Sequence, residues 1–283
     1  MLKRLRRAVS ALSVLLLAAG VFLVLTPNPA QAQSSDSSPE VHRISGKYFV
    51  KMGTDLGKVF ISPIHWKGKD LWLFGGSVAT TGLVMAFLDH GIREWVEDHQ
   101  NTSYTNFSLF ITHLGEPPFL LGLSTVLYVG GEVFNDDNLR KTALMSLESF
   151  CLDGIVINGM RYLFSRSRPL SGEGPSSFHW FSFRNGQHSF PSGHTSTAFA
   201  VAAVIAGQSD SFLVGAVSYG LASLVAISRV NNNEHWASDV IAASIIGYFI
   251  GKEVLALNRP SDQNKPSLSF APGPGGFSLS LRF

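Results

Sequence analysis

Cysteine is nearly missing from this chain. Cys151 is the only one in 283 residues, so no internal disulfide can form, and no Cys/His spacing suggests a zinc site. Charge is scarce as well: Asp, Glu, Lys and Arg make up 15% of the chain against 45% hydrophobic residues. That balance points to one large, well-buried domain with tails. Nor is there a bulk basic field. The formal charge of +2 rests on Lys3, Arg4, Arg6 and Arg7, and without these four cations 18 basic residues face 20 acidic ones. Nucleic acid is therefore not an expected partner.

The same four cations precede an apolar stretch from Ala8 to Leu25, and Ala30-Gln31-Ala32 follows as a small-x-small site. This order is that of a secretory signal peptide, with an uncleaved anchor helix as the competing reading for residues 1–32; either implies export. Residues 33–45 read as a linker, polar and Ser-rich at their start.

Long apolar runs are what the sequence has in quantity. Phe49, Met52, Leu56, Val59 and Phe60 recur at helical spacing and stop before Ser62-Pro63, which predicts an amphipathic helix over 48–60. Leu71 to Leu88 is free of charge and long enough to cross a bilayer. Phe107 to Phe134 is broken at His113, Glu116 and Pro117-Pro118, predicting two helical pieces. Leu139 to Phe164 is a long helix whose Lys141, Glu148 and Asp153 suit water or protein better than lipid on all sides. Helices are expected again over Thr195–Ala206, Phe212–Ile227 and Trp236–Leu257, the first two rich in small residues that permit close packing. The fold expected is all-α, a bundle of about six core helices over 46–258. A Pro- and Gly-rich tail over 259–283 closes on an alternating, strand-like run from Phe277 to Phe283. Cys151 reads as an ordinary buried helix residue, and His113 and His188 as packing or loop histidines.

The chemistry gathers in two runs. One spans Arg161 to Pro169 and the other Ser189 to Asp239. His235 and Asp239 are four apart, so with a turn over Asn231 to Asn233 and a helix after it they share one helix face. The carboxylate is then expected to hold one ring nitrogen and leave the other lone pair free to attack phosphorus. His194 is the matching proton donor and later the base for water. Arg161, Arg168 and Arg229 supply planar guanidinium donors that suit a phosphoryl dianion. Ser192 and the Gly193 amide add a hydroxyl and an N–H where a helix would start.

Arg161-x6-Arg168-Pro169, Pro191-Ser192-Gly193-His194 and Ser228-Arg229-x5-His235-x3-Asp239 together resemble the three-part signature of the phosphatidic acid phosphatase type 2 superfamily, which also includes class A acid phosphatases and vanadium haloperoxidases. The resemblance covers roughly Trp66 to Leu257. Arg161 stands where the family usually has lysine; it keeps the charge but has a wider, planar head. The resemblance implies a helical-bundle hydrolase that works without metal or other cofactor, through a phosphohistidine on His235. Arg161, Arg168, Arg229, Ser192 and Gly193 would hold the phosphoryl oxygens.

A lipid phosphate or pyrophosphate is the favoured substrate, because Leu71–Leu88, Phe119–Val129, Phe212–Ile227 and Val240–Leu255 are apolar enough to meet a membrane. The site would then face the periplasm. A soluble periplasmic phosphatase on small phosphomonoesters, a vanadium-dependent haloperoxidase, a non-catalytic anion-binding envelope protein and a His235/Asp239 metal site are the alternatives. Oligomeric state is not readable from the sequence.

Overall fold

Prolines and the polar caps Ser45, Asp136 and Ser165 set where several of the apolar runs begin and end as helices. The computed structural model describes residues 43–184 and 186–259, and the backbone of 267–273 and 276–282. The signal or anchor expectation at 1–32 and most of the linker fall outside the described residues, as do 260–266 and the terminal Phe283.

Among the described residues there are nine α-helices. Helix α1, Gly46–Ile61, is capped by Ser45, whose Oγ accepts from the Tyr48 amide, and it stops at Ser62-Pro63 as expected. Helix α2, Gly68–Phe87, is followed at once by α3, Asp89–His99, a helix the apolar pattern did not announce. Helices α4, Thr102–Thr112, and α5, Pro117–Val133, are the two pieces expected around the His113–Pro118 break. The Asp136 carboxylate caps α6, Asp137–Phe164, by accepting from the Asn138 and Leu139 amides, and Ser165 ends it in the left-handed conformation. Helices α7, Gly193–Gln208, α8, Phe212–Asn231, and α9, Ala237–Leu257, complete the bundle. Strands β1, Ser267–Gly273, and β2, Gly276–Arg282, form an antiparallel hairpin with Ser267 opposite Arg282. Residues 267–273, expected in the irregular tail, thus give the terminal strand a partner.

Helix α7 is the axis of the bundle. Ala200, Val201, Ala202, Ala203 and Val204 are buried in succession, so it is covered on every side, by α9, α8 and α6. Its contact with α9 is backbone on backbone. A Cβ added at Gly247 would lie 2.0 Å from the Ser196 carbonyl oxygen, and one at Gly251 would lie 2.4 Å from that of Ala200. Glycines four apart therefore let the two helices touch along one stripe. Hydroxyls tie α4 to α8: Ser108 donates to the Ser228 carbonyl at 3.1 Å, and the Thr112 and Ser228 hydroxyls meet at 3.0 Å.

Helices α2, α6, α8 and α9 are each long and apolar enough to cross a membrane. Helix α5, expected in that set, has 17 residues and falls just short, while α6 joins by its length and apolar composition, with Arg140, Glu148 and Asp153 buried. Helix α2 presents most of its surface outward, with Trp72 84% and Phe87 76% exposed. An apolar helix so little covered by its own chain calls for lipid around it.

Because α6, α7, α8 and α9 alternate in direction, the C-terminal ends of α6 and α8 share one end of the bundle with the N-terminal ends of α7 and α9. All the chemistry-bearing residues sit there. Gly247→Val is expected to force α9 off α7 and cost at least ~2 kcal/mol, read as a lowered melting temperature in detergent; an unchanged melting temperature would contradict the backbone contact.

Candidate active site

The segment between α6 and α7, residues 165–192, is stapled by its own polar groups. The Ser165 hydroxyl donates to the carbonyls of Tyr162, at 2.8 Å, and Ser182, at 3.0 Å, while the His179 amide donates to the Ser165 carbonyl. Ser167, Glu173 and His179 form a second staple, with Ser167 Oγ to Glu173 Oε2 at 2.6 Å and His179 Nε2 to the same oxygen at 2.8 Å. Trp236 Nε1 donates to the Ser167 carbonyl at 2.9 Å, so the start of α9 is sewn to this segment. Fixed this way, the loop holds Arg166 and Arg168 under the helix ends. His188 Nε2 lies 3.1 Å from the Ser182 carbonyl and His113 pairs with Glu116 at 2.9 Å, as loop histidines do.

Arg166 escaped the sequence reading and is the most connected residue of the site. It is fully buried. Its Nη1 donates to Asp239 Oδ1 at 2.5 Å and to the Ser238 hydroxyl at 2.7 Å; its Nη2 reaches Asp89 Oδ2 at 2.7 Å, and its Nε the Pro175 carbonyl at 2.8 Å. The rings of Phe178 and Trp236 lie against its guanidinium. Asp89, which marked only the end of an apolar run, also accepts from the Ser238 amide and hydroxyl, at 2.8 and 2.6 Å. The signal available was a third arginine between Arg161 and Arg168. Nothing in the pattern marked Asp89 as its partner.

His235 is buried, with Nδ1 2.7 Å from the Ser189 carbonyl oxygen. The expected hydrogen bond from the ring to Asp239 is not the one that orients it, because Asp239 Oδ2 stands 3.7 Å from Nδ1. That carboxylate is committed elsewhere: Oδ2 accepts from the Ser189 hydroxyl at 2.5 Å and from the Trp236 amide at 2.9 Å. Asp239 therefore fixes the Ser189 segment, and the Ser189 carbonyl fixes the imidazole. A carbonyl can only accept, so Nδ1 carries the proton and Nε2 keeps its lone pair.

The remaining expected residues converge on the same end. Arg161, in the last turn of α6, donates from Nε to the Pro191 carbonyl at 3.0 Å, and its guanidinium lies so close to Gly193 that a Cβ there would sit 2.8 Å from Nη2. Ser192 is buried; its amide donates to the Asp239 carbonyl at 3.3 Å and its Oγ accepts from Thr195 Oγ1 at 3.1 Å. The first-turn amides of α7 point out of the helix, as they do at any helix start. Arg168 Nη1 donates to Glu234 Oε2, and Arg229 Nη2 lies 3.6 Å from the same oxygen. Glu234 was not singled out from the sequence, although a carboxylate beside the reactive histidine, within an arginine-rich motif, was a visible signal.

Burial and then the neighbouring cations, Arg229 first and then His235, Arg161 and Arg168, pull His194 down to about 3. Burial pulls His235 down to about 4 against the opposing pull of Asp239. Both histidines are thus neutral in the empty site, and each lies within electrostatic reach of Arg161 and Arg229. The arrangement offers an imidazole lone pair, a second imidazole and three guanidinium groups to one anion. As for a metal, His235 Nδ1 and both Asp239 oxygens are spent on other partners, so this pair is not aimed at a shared ion.

Residues 142–261 match the family model of the PAP2 superfamily. A lipid A 1-phosphatase of Porphyromonas gingivalis is 37% identical over 103 residues, 36% of this chain and 20% of that protein. A PA-phosphatase related-family protein of Dictyostelium discoideum is 28% identical over 154 residues, 49% of this chain and 57% of that one. The chain thus spans about a fifth and somewhat over half of these relatives. A transmembrane PAP2 type phosphatidylglycerolphosphate phosphatase from Bacillus subtilis shares the fold, with a TM-score of 0.51 and 21% identity over 66% of this chain and 94% of that structure.

Two outcomes are expected. Arg166→Ala should cost ~3–5 kcal/mol by stranding two buried carboxylates, seen as loss of folded protein or a steep drop in melting temperature. Because both histidines ionise near pH ~6.5 when unfolded but only at about 3 and about 4 when folded, the unfolded chain binds more protons below pH ~6.5. Stability should therefore fall as pH drops through that window. His235→Asn should flatten the dependence of melting temperature on pH; an identical slope in the variant would exclude His235 as its source.

Proposed function

We propose that this chain, whose residues 142–261 match the PAP2 superfamily model, is a membrane phosphatase of that superfamily and hydrolyses a lipid phosphate or pyrophosphate through a phosphohistidine on His235. The observation that carries the reading is the convergence of two imidazoles and three guanidiniums, from four helix ends and one loop, at a single end of the bundle.

In this reading Arg161, Arg168, Arg229, Ser192 and the Gly193 amide hold the terminal phosphoryl oxygens, and their contacts strengthen as charge builds there. His235 Nε2 attacks phosphorus while Nδ1–H stays on the Ser189 carbonyl, which favours the positive charge the ring acquires. The P–O bond to the leaving group breaks as His194 protonates the departing oxygen. Water then gives its proton to His194 and its oxygen to phosphorus, and the P–N bond to His235 breaks to release inorganic phosphate. Burial is the larger cause of the low His194 value and the three cations the smaller. A bound phosphoryl dianion offsets the cationic part and shifts His194 toward the protonated form it needs as donor.

The lipid character of the substrate is supported by the surroundings of this end. Trp180, Phe181 and Phe183 are exposed on the loop that carries Arg168, and Trp180 and Phe181 adopt positive φ angles of 27° and 60°. Such a backbone is costly for aromatic residues; Trp180 packs one side on Phe164 and Phe178, and the exposed surface of the three rings is where an acyl chain or the bilayer interface would lie. The Porphyromonas relative, named for a lipid phosphate, agrees with this choice. The basic-then-apolar N-terminal pattern supports a periplasmic orientation for the site.

Phosphate release should be seen across a panel of lipid phosphates with EDTA present. His235→Ala and His194→Ala should each lower the rate by ~10²-fold or more; near-wild-type turnover by His235→Ala would remove the covalent mechanism. A soluble enzyme for small phosphomonoesters would instead leave the membrane fraction on high-salt washing.

A further inference from the structure

We propose that Glu234 is the resident anion of the arginine cradle, which a substrate's phosphoryl group must displace, and that this exchange selects doubly charged phosphate monoesters over singly charged phosphodiesters and carboxylates. The proposal rests on the phosphatase reading and adds a specificity-determining residue to it.

Glu234 occupies the turn between α8 and α9, directly before His235, and its amide donates to the Arg229 carbonyl at 3.1 Å. The side chain leans back into the cradle. One oxygen, Oε2, serves both Arg168 Nη1 and Arg229 Nη2, the latter at 3.6 Å. That is a poor match for two guanidiniums. Arg168 Nε and Arg229 Nε are buried with no acceptor among the described residues, and a buried donor without an acceptor costs free energy. The cradle is built for more acceptor oxygens than one carboxylate oxygen supplies. A phosphoryl group has three.

Charge points the same way. Arg161, Arg168 and Arg229 repel one another through a poorly solvated space, so an anion placed among them is strongly held. Glu234 relieves that repulsion by one charge. Glu116, the other carboxylate acting on Arg229, is paired with His113 and stands farther off. A singly charged ligand that replaces Glu234 exchanges like for like and must still move a side chain. A dianion brings a second charge and the missing acceptors. Glu234 is 30% exposed, so it can swing into solvent as the phosphoryl group enters.

The same contact could instead be a clamp that holds Arg168 in place, and the two roles give opposite results. Full-length chain in detergent is titrated calorimetrically with inorganic phosphate and with dimethyl phosphate, a singly charged probe, near pH ~8 where phosphate is a dianion. Glu234→Gln keeps the shape and removes the charge. It should bind inorganic phosphate about tenfold more tightly than the wild type and narrow the preference for phosphate over dimethyl phosphate. On a lipid phosphate its KM should fall. Equal or weaker phosphate binding by Glu234→Gln, with an unchanged melting temperature, overturns the proposal in favour of the clamp. If that variant does not fold, Glu234→Asp serves, whose shorter reach should give an intermediate gain in phosphate affinity; no gain overturns the proposal. Calorimetry needs no turnover, so a chain that shows the Glu234 effect but releases no phosphate from any lipid refutes the phosphatase reading alone.

Discussion

The site depends on one buried cation that touches no substrate. Arg166 joins the Asp89 end of α2 and α3, the Pro175 turn and the first turn of α9 through side-chain bonds that exclude water. Ion pairs at such depth give little net stability, since desolvating each charge offsets most of the attraction, but removing one partner leaves the others stranded. What the arrangement supplies is position. Arg166 fixes Asp239, Asp239 fixes Ser189 and the Trp236 amide, and the Ser189 carbonyl fixes the proton on His235. The His235 ring is thus oriented through three successive hydrogen bonds, none of which uses Nε2.

The opposite problem exists a few ångströms away. Three guanidiniums and two imidazoles that face one anion must also coexist when it is absent. Three features make the empty state tolerable. The imidazoles give up their protons, as their depressed values record. Arg161 and Arg229 sit in the last turns of α6 and α8, where the helix dipole favours positive charge. Glu234 lends a carboxylate. Of the three, the helix-end placement is fixed by the fold, whereas the Glu234 contact and the cationic part of the histidine shifts are the ones another anion would change.

The residues whose chemistry is local were legible in the sequence. Helix ends at Ser62-Pro63, Pro117-Pro118 and the Asn231–Asn233 turn follow from backbone preferences within a few residues, and the histidines and arginines stood out by type and spacing. Asp89 and Arg166 did not, because their roles exist only across 77 residues of separation and a single charge beside an apolar run reads as its boundary. The Asp239 role was misassigned for a related reason. Spacing of four put it on the face of His235, but spacing says nothing of the Ser189 carbonyl, which arrives from a different segment and takes the ring nitrogen first. Helix α3 was missed because its face against the bundle is narrow, with only Asp89 and Val96 buried.

Small residues connect the apolar bundle to the polar end. The Gly247 contact brings α9 onto the Ser196 carbonyl, one half-turn below His194, and Gly115 approaches the His194 backbone so closely that a Cβ would sit 3.0 Å from its oxygen. Backbone packed on backbone has no rotamers to relax, so the separation of α7 and α9 is set more tightly than side-chain packing would set it. The close packing of small residues in the apolar bundle thus continues up to the polar end, where α7 and α9 begin.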